Sequence, residues 1–75
     1  TRVTRRAVRS LRDVLTAREI QILELMAEGR SNAAIATQLV ISEGTVKQHV
    51  KHILRKLRAG NRVEAVSMLY QSDGA

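Results

Sequence analysis

Helix-start signals stand ahead of four short segments whose apolar residues recur at helical spacing. The cap residues, all of types that accept hydrogen bonds from the first turn of a helix, are Thr16, Ser31, Ser42 and Asn61. The chain has no Pro, Trp or Phe and one Tyr, so aliphatic side chains and Met must fill its interior, which suits packed helices better than a sheet. The sequence therefore predicts an all-α domain with four helices, at about residues 17–28, 32–39, 43–57 and 62–71.

Local signals also mark where these helices begin and end. Thr16 and Glu19 fit a capping box, and Gly29 follows the first helix at a natural C-terminal stop. Asn61 and Glu64 repeat the start signal ahead of the last helix. Only about three residues separate the second and third helices, and so short a connection favours an angled helix-turn-helix pair over a long antiparallel hairpin.

The predicted domain covers residues 15–71 and leaves a short tail at residues 72–75. Ahead of it, residues 1–14 carry five arginines interleaved with apolar residues. Two alternatives stay open for this segment, a basic linker and a short amphipathic helix, because so short an isolated segment is marginal as a helix without packing. Since the chain begins with Thr rather than Met, we expect it to be part of a longer protein.

The third helix is predicted to have two contrasting faces. At about 100° per residue, its aliphatic residues Val46, Val50, Ile53 and Leu57 fall in one stripe, which must face the first two helices. No acidic residue occurs between positions 44 and 58. The opposite face is therefore basic, and its residues are Gly44, Lys47, Gln48, Lys51, Arg55 and Arg58.

This basic face indicates a polyanionic partner. The alternative is an ordinary solvated surface, but such surfaces usually mix charges of both signs at i,i+4 spacing, whereas Lys47, Lys51 and Arg55 repel one another. The whole chain carries a formal net charge of +6. A row of nucleic-acid phosphates is the simplest anion that would relieve the repulsion.

The same side chains suit the major groove of DNA, which admits one α-helix. A lysine side chain can donate to the major-groove edge of guanine, and a glutamine side chain can hydrogen-bond the edge of adenine. The predicted base contacts are therefore Lys47, Gln48 and Lys51. Gly44 weakens the helix start but lets its first turn approach a surface closely. Neutral drift at an exposed position stays open as the alternative for this glycine. The predicted contacts to the DNA backbone are Ser31, Asn32, Ser42, Gly44, Thr45, Arg55 and Arg58. For Ser31 and Ser42, plain helix capping stays open as an alternative.

The motifs LTxRE, SNxxIA, SxxTVKxHV and RVEAV occur in this order between Leu15 and Gln71. In that combination the chain closely resembles the LuxR-type DNA-binding domain, the output domain of NarL/FixJ response regulators in two-component systems and of quorum-sensing activators. The resemblance implies transcriptional control in a bacterial cytoplasm, with the third helix in the major groove and a fourth helix that supports dimerisation. It points to Lys47, Gln48 and Lys51 for bases and to Ser31 and Thr45 for the backbone. Gly44 departs from relatives that have lysine there, and it offers only its backbone.

The fourth helix is apolar around more of its circumference than one small core can cover. The excess predicts either a homodimer surface or packing on the N-terminal segment. The residues assigned to dimerisation are Val63, Val66, Met68 and Tyr70. Two-fold pairing, whether in solution or only on DNA, would predict a palindromic operator with half-sites about one helical turn apart.

Other functions fit the sequence less well. An enzyme or a metal site is not expected, because the chain lacks Cys, and His49 and His52 have no carboxylate on their own faces. We predict no cofactor, and a hydrogen-bonded structural role for His49. Two alternatives remain, the promoter-reading domain of a sigma factor and a basic module that binds an acidic protein or anionic lipid. No apolar run approaches the length of a membrane span.

Overall fold

The computed structural model describes residue 11 and residues 13–73, with side chains as far as Gln71. Within this range the chain forms helices α1 (Ala17–Ala27), α2 (Asn32–Leu39), α3 (Glu43–Leu57) and α4 (Arg62–Asp73), and no strand. The prediction of an all-α, four-helix domain is confirmed. Helix α1 ends one residue earlier than expected and α4 runs two residues further. None of the described helices is long and apolar enough to cross a membrane.

Each helix begins at the cap residue that the sequence predicted. The backbone N–H of Thr16 donates to Glu19 Oε1 at 2.9 Å, and the N–H of Glu19 donates to Thr16 Oγ1 at 3.1 Å, which completes the capping box. The side-chain oxygens of Ser31, Ser42 and Asn61 accept from the backbone N–H three residues later, at 3.1, 3.0 and 2.9 Å. These bonds pair N–H groups that would otherwise lack a partner within the helix.

A residue in the left-handed region ends each of the first three helices. These residues are Gly29 (φ 85°), Val40 (φ 57°) and Arg58 (φ 54°). In each case the N–H of the next residue bonds the carbonyl oxygen five positions back, at 3.3, 3.0 and 2.9 Å, as in a Schellman motif. Only Gly29 adopts this conformation at no steric cost, because a Cβ atom crowds the following carbonyl oxygen.

The core lies between α1 and the other helices. Ile22 and Leu23 of α1, Ile35 of α2, and Val46 and Ile53 of α3 are fully buried. The predicted inward stripe of α3 is confirmed, since Leu57 is buried as well and Val50 packs half-buried against the same cluster. Helix α4 adds Ala65 and Leu69.

The packing also reaches upstream of Leu15. Leu11 is buried in the core, and its carbonyl oxygen accepts a hydrogen bond from the N–H of Leu15 at 2.9 Å. Residues 11, 13 and 14 have helical backbone. The rest of the N-terminal segment, for which a linker and a short helix are the alternatives, lies outside the described residues.

A partly buried ion pair joins α1 to α3. Lys56 Nζ donates to Glu19 Oε1 at 2.8 Å, and the Glu19 side chain is only 5% exposed. Burial raises the pKa of the Glu19 carboxyl, but hydrogen bonds from Lys56 and Thr16, together with the charge of Lys56, bring the pKa below its ordinary value. Glu19 therefore caps its own helix and fixes α3 through one carboxylate.

Replacing Val40 by glycine should stabilise the protein. Val40 has a strained left-handed backbone, and its side chain is 88% exposed, so it buries little apolar surface that would offset the strain. Val40→Gly should therefore raise the free energy of unfolding, measured in urea, by about 1 kcal/mol. The control is Gln38→Gly, at an exposed helical position two residues away, which should lower it by up to about 1 kcal/mol. Loss of stability in both variants would contradict the left-handed assignment.

Removing the charge of Glu19 should cost stability in a pH-dependent way. The pKa of Glu19 is lower in the folded chain than in the unfolded chain. Its contribution to the free energy of unfolding is therefore fully present above the unfolded pKa of about 4.3, and it is lost as the pH falls through the folded pKa. Glu19→Gln keeps a capping side chain and should lower the free energy of unfolding by about 1–3 kcal/mol at pH 7. In chemical denaturation at several pH values, the difference from the native chain should shrink in acid.

The control for this experiment is Glu24→Gln, at an exposed glutamate of the same helix whose side chain makes no hydrogen bond or ion pair within the described residues. Its effect should stay within about 0.5 kcal/mol at every pH. A Glu19→Gln loss that persists unchanged at low pH would mean that the ion pair is not its source.

Candidate nucleic-acid interface

The outer face of α3 is formed by the side of the helix opposite its buried stripe. We name this surface the basic face, and its residues, all exposed, are Gly44, Lys47, Gln48, Lys51, Arg55 and Arg58. The core packing of Val46 and Ile53 fixes the rotation of the helix and so directs the basic face to the outside. The structure thus brings together all three residues predicted to contact bases; their role remains a prediction.

Most cations of the basic face have no anionic partner within the described residues. Lys51, Arg55 and Arg58 make no ion pair there, and Lys47 lies 3.9 Å from the Glu43 carboxylate, with both side chains more than half exposed. An exposed pair of this length contributes little. The basic face is therefore a largely unneutralised cationic surface, of the kind that attracts polyanions.

Lys56 belongs to the same basic stretch of sequence but not to the basic face. Its ammonium group turns inward to Glu19, as described above. The positive charge of α3 is thus divided between one structural lysine and a set of outward cations.

Gly44 lies in the first turn of α3 beside open space. A Cβ atom built on it would have Ser42 Oγ, at 3.9 Å, as its nearest neighbour. The backbone of Gly44 is not left-handed. Nothing in the packing or the backbone conformation of the domain therefore requires glycine at this position, although glycine weakens a helix.

The polar residues predicted to contact phosphates already make hydrogen bonds within the domain. Ser31 and Ser42 accept as helix caps, which is the geometry that the capping alternative requires. Ser42 Oγ also lies 2.8 Å from Thr45 Oγ1, and either hydroxyl can donate. Asn32 Oδ1 accepts from Arg62 Nη1 at 2.9 Å. The Ser31 hydroxyl and the Asn32 amide nitrogen can still donate to an external acceptor. In the Ser42–Thr45 pair, one hydroxyl donates to the other, so only the second hydroxyl can donate outward.

Two further residues, His52 and Arg62, were given no role by the sequence analysis. His52 is exposed one helical turn after Gln48, on the edge of the basic face, and its i+4 spacing was the available signal. Arg62 reaches α2 from the start of α4, and no local pattern indicates that contact. His49, predicted to be a hydrogen-bonded structural residue, is half-buried, and its ring makes no hydrogen bond within the described residues.

The residues assigned to dimerisation divide into two groups on α4. Val63 is 77% exposed and Tyr70 is 58% exposed. Val66 and Met68 are instead half-buried against the domain's own core. The Tyr70 hydroxyl donates to the carbonyl oxygen of Ala27 at 3.0 Å, which holds α4 against the end of α1.

Known proteins resemble this chain over the same region. The sequence family described as "Bacterial regulatory proteins, luxR family" matches residues 13–69, more than half of the chain. The nitrate/nitrite response regulator protein NarL of Escherichia coli K12 is 52% identical over 62 residues, which cover 80% of this chain and 29% of NarL. NarP of the same strain is 48% identical over 62 residues, covering 83% of this chain and 29% of NarP.

A third relative comes from another bacterium. The transcriptional regulatory protein DegU of Brevibacillus brevis is 49% identical over 53 residues, which cover 71% of this chain and 22% of DegU. The chain thus spans less than a third of the length of the relatives that it matches.

Proposed function

This chain belongs to the luxR family of bacterial regulatory proteins, and on that premise we propose that it is the double-stranded-DNA-binding output domain of a larger transcriptional regulator. Two of its relatives are named as response regulators, which favours an upstream receiver of a two-component system and a place in the bacterial cytoplasm. Contact with RNA polymerase would follow from a role in transcription.

The observation that carries the proposal is the basic face of α3. Its cations project together, Lys51, Arg55 and Arg58 are unpaired in the described chain, and the opposite side of the helix is committed to the core. Like charges at i,i+4 spacing destabilise a helix. Binding of phosphates converts that repulsion into attraction and releases counterions.

In this arrangement α3 lies in the major groove. Lys47, Gln48 and Lys51 contact base edges, and the first turn approaches closely at Gly44. The phosphates are contacted by Ser31, Asn32, Ser42, Thr45, Arg55 and Arg58, with Gly44 contributing its backbone N–H.

Two copies of the chain bind through α4, with Val63 and Tyr70 as the exposed anchors and Val66 and Met68 at their margin. So small a surface is weak on its own, so pairing is expected chiefly on DNA. A two-fold pair reads a palindromic operator with half-sites about 34–36 Å apart.

Selection of binding sites from a random duplex pool tests the proposal and gives the operator. The selected duplex should exceed scrambled duplexes by about 10³-fold or more in affinity, and log Kd should rise steeply with log salt. Equal affinity for all duplexes, or stronger binding to an acidic peptide or to anionic vesicles, would favour the basic protein-interaction module instead.

Lys47→Ala should weaken binding to the selected duplex by about 1–3 kcal/mol and relax its sequence preference, because Lys47 is predicted to contact a base. Fluorescence anisotropy on the selected duplex and on single-base variants measures both effects. Arg18→Ala, which removes an exposed cation from α1, is the matched control and should change affinity little. An equal loss on every duplex would make Lys47 a phosphate contact.

Gly44→Leu should affect folding and binding in opposite directions. Open space surrounds the position, so the better helix propensity of leucine should stabilise the free domain by as much as about 0.8 kcal/mol. The same side chain should block the close approach to DNA and lower affinity by about tenfold or more. Thermal denaturation and anisotropy are the two measurements.

Gln21→Leu, an exposed replacement on α1, controls for added apolar surface in this experiment. Unchanged DNA affinity in Gly44→Leu would show that the first turn of α3 is not close to the duplex.

A further inference from the structure

The Arg62 guanidinium joins the start of α4 to the start of α2. Its Nη1 donates to Asn32 Oδ1 at 2.9 Å, and its Nη2 makes a short hydrogen bond to the backbone carbonyl oxygen of Arg30. The two acceptors flank Ser31, the cap of α2. One half-buried side chain therefore holds the backbone on one side of the cap and the first helical residue on the other.

The rest of the fold gives this end of α2 little support. No Cα atom of α2 lies within 8 Å of a Cα atom of α4 in the described chain, so the two backbones do not approach each other. Helix α2 has eight residues, and its core contacts begin only at its fourth residue, with Ile35, Ala36 and Leu39. Ser31 is exposed and Asn32 is half-buried. An eight-residue helix is marginal without tertiary contacts, so the bridge from Arg62 is a principal constraint on its first turn.

The shape of the arginine side chain suits both acceptors. The planar guanidinium directs two N–H donors from different nitrogens along fixed lines, whereas a lysine ammonium is a compact point charge on a flexible stem. Charge alone does not explain the residue, since a cation near the N-terminal end of a helix is unfavourable within the protein. The hydrogen-bond geometry is what Arg62 contributes to the free domain.

We propose that Arg62 is a positioning residue for the DNA-backbone contact of α2, acting through Asn32 and the Arg30 carbonyl group to hold Ser31 and Asn32 toward a phosphate. This inference rests on the proposed function. It also links α4, the helix assigned to pairing, to the stretch of α2 that meets DNA.

Amide hydrogen exchange tests the positioning in the protein alone. The N–H groups of Ala34 and Ile35 bond Ser31 Oγ and the Ser31 carbonyl oxygen at 3.1 and 2.9 Å, so they report the first turn of α2. Arg62→Met keeps an apolar stem and removes the donors, and should speed exchange of both amides by about tenfold. The N–H of Val46, bonded to the Ser42 carbonyl oxygen in α3, should not change. Equal acceleration of all three would indicate general destabilisation and overturn the inference.

A double-mutant cycle tests whether Arg62 acts through Asn32. On the selected duplex, at a temperature where all variants are folded, Arg62→Met should lower affinity by about tenfold. In an Asn32→Ala background the same change should have a clearly smaller effect, because the coupled contact is already lost. Additive losses would show that Arg62 contacts DNA independently and would overturn the inference.

Arg62→Lys separates charge from geometry. It keeps the positive charge but cannot bridge both acceptors, so most of the loss seen with Arg62→Met should remain; full affinity in Arg62→Lys would overturn the inference. Arg18→Met is the matched control for removal of an arginine elsewhere, and should leave affinity and exchange unchanged. If the native chain prefers no duplex, the proposed function is overturned as well. If the native chain binds one duplex specifically but the losses from Arg62→Met and Asn32→Ala add, this inference alone is overturned.

Discussion

The rotation of α3 about its own axis is the constraint on which the rest of the structure depends. Burial of Val46, Ile53 and Leu57 sets this rotation, and the Lys56–Glu19 ion pair holds it from the side. A turn of the helix by one residue, about 100°, would expose aliphatic side chains and bury cations without partners, both of which are costly. The exposure of the basic face is therefore a direct result of how the core is packed.

Much of this fold could be predicted because its signals are local. Thr16 and Glu19 are three residues apart, and the caps at Ser31, Ser42 and Asn61 likewise bond within their own first turns. Apolar periodicity was enough to assign the buried side of α3 and, by opposition, the basic face. The family-like motifs added the prediction that this face meets DNA, which periodicity alone does not give.

The features that could not be predicted from the sequence are contacts between distant residues and unusual backbone conformations. Lys56 and Glu19 are 37 positions apart, and Arg62 and Asn32 are 30 positions apart. No sequence pattern links the two members of either pair. Val40 and Arg58 take left-handed conformations that sequence rules assign to glycine or asparagine. On α4, counting apolar residues overstated the free surface, because Val66 and Met68 share their area with the core.

The buried position of Leu11 has a mechanical consequence for any segment attached ahead of it. Its side chain lies in the core, and its carbonyl oxygen accepts a hydrogen bond from the Leu15 N–H. The polypeptide is therefore fixed to the domain at Leu11. Force or torque applied upstream would be transmitted to the aliphatic interior under α1.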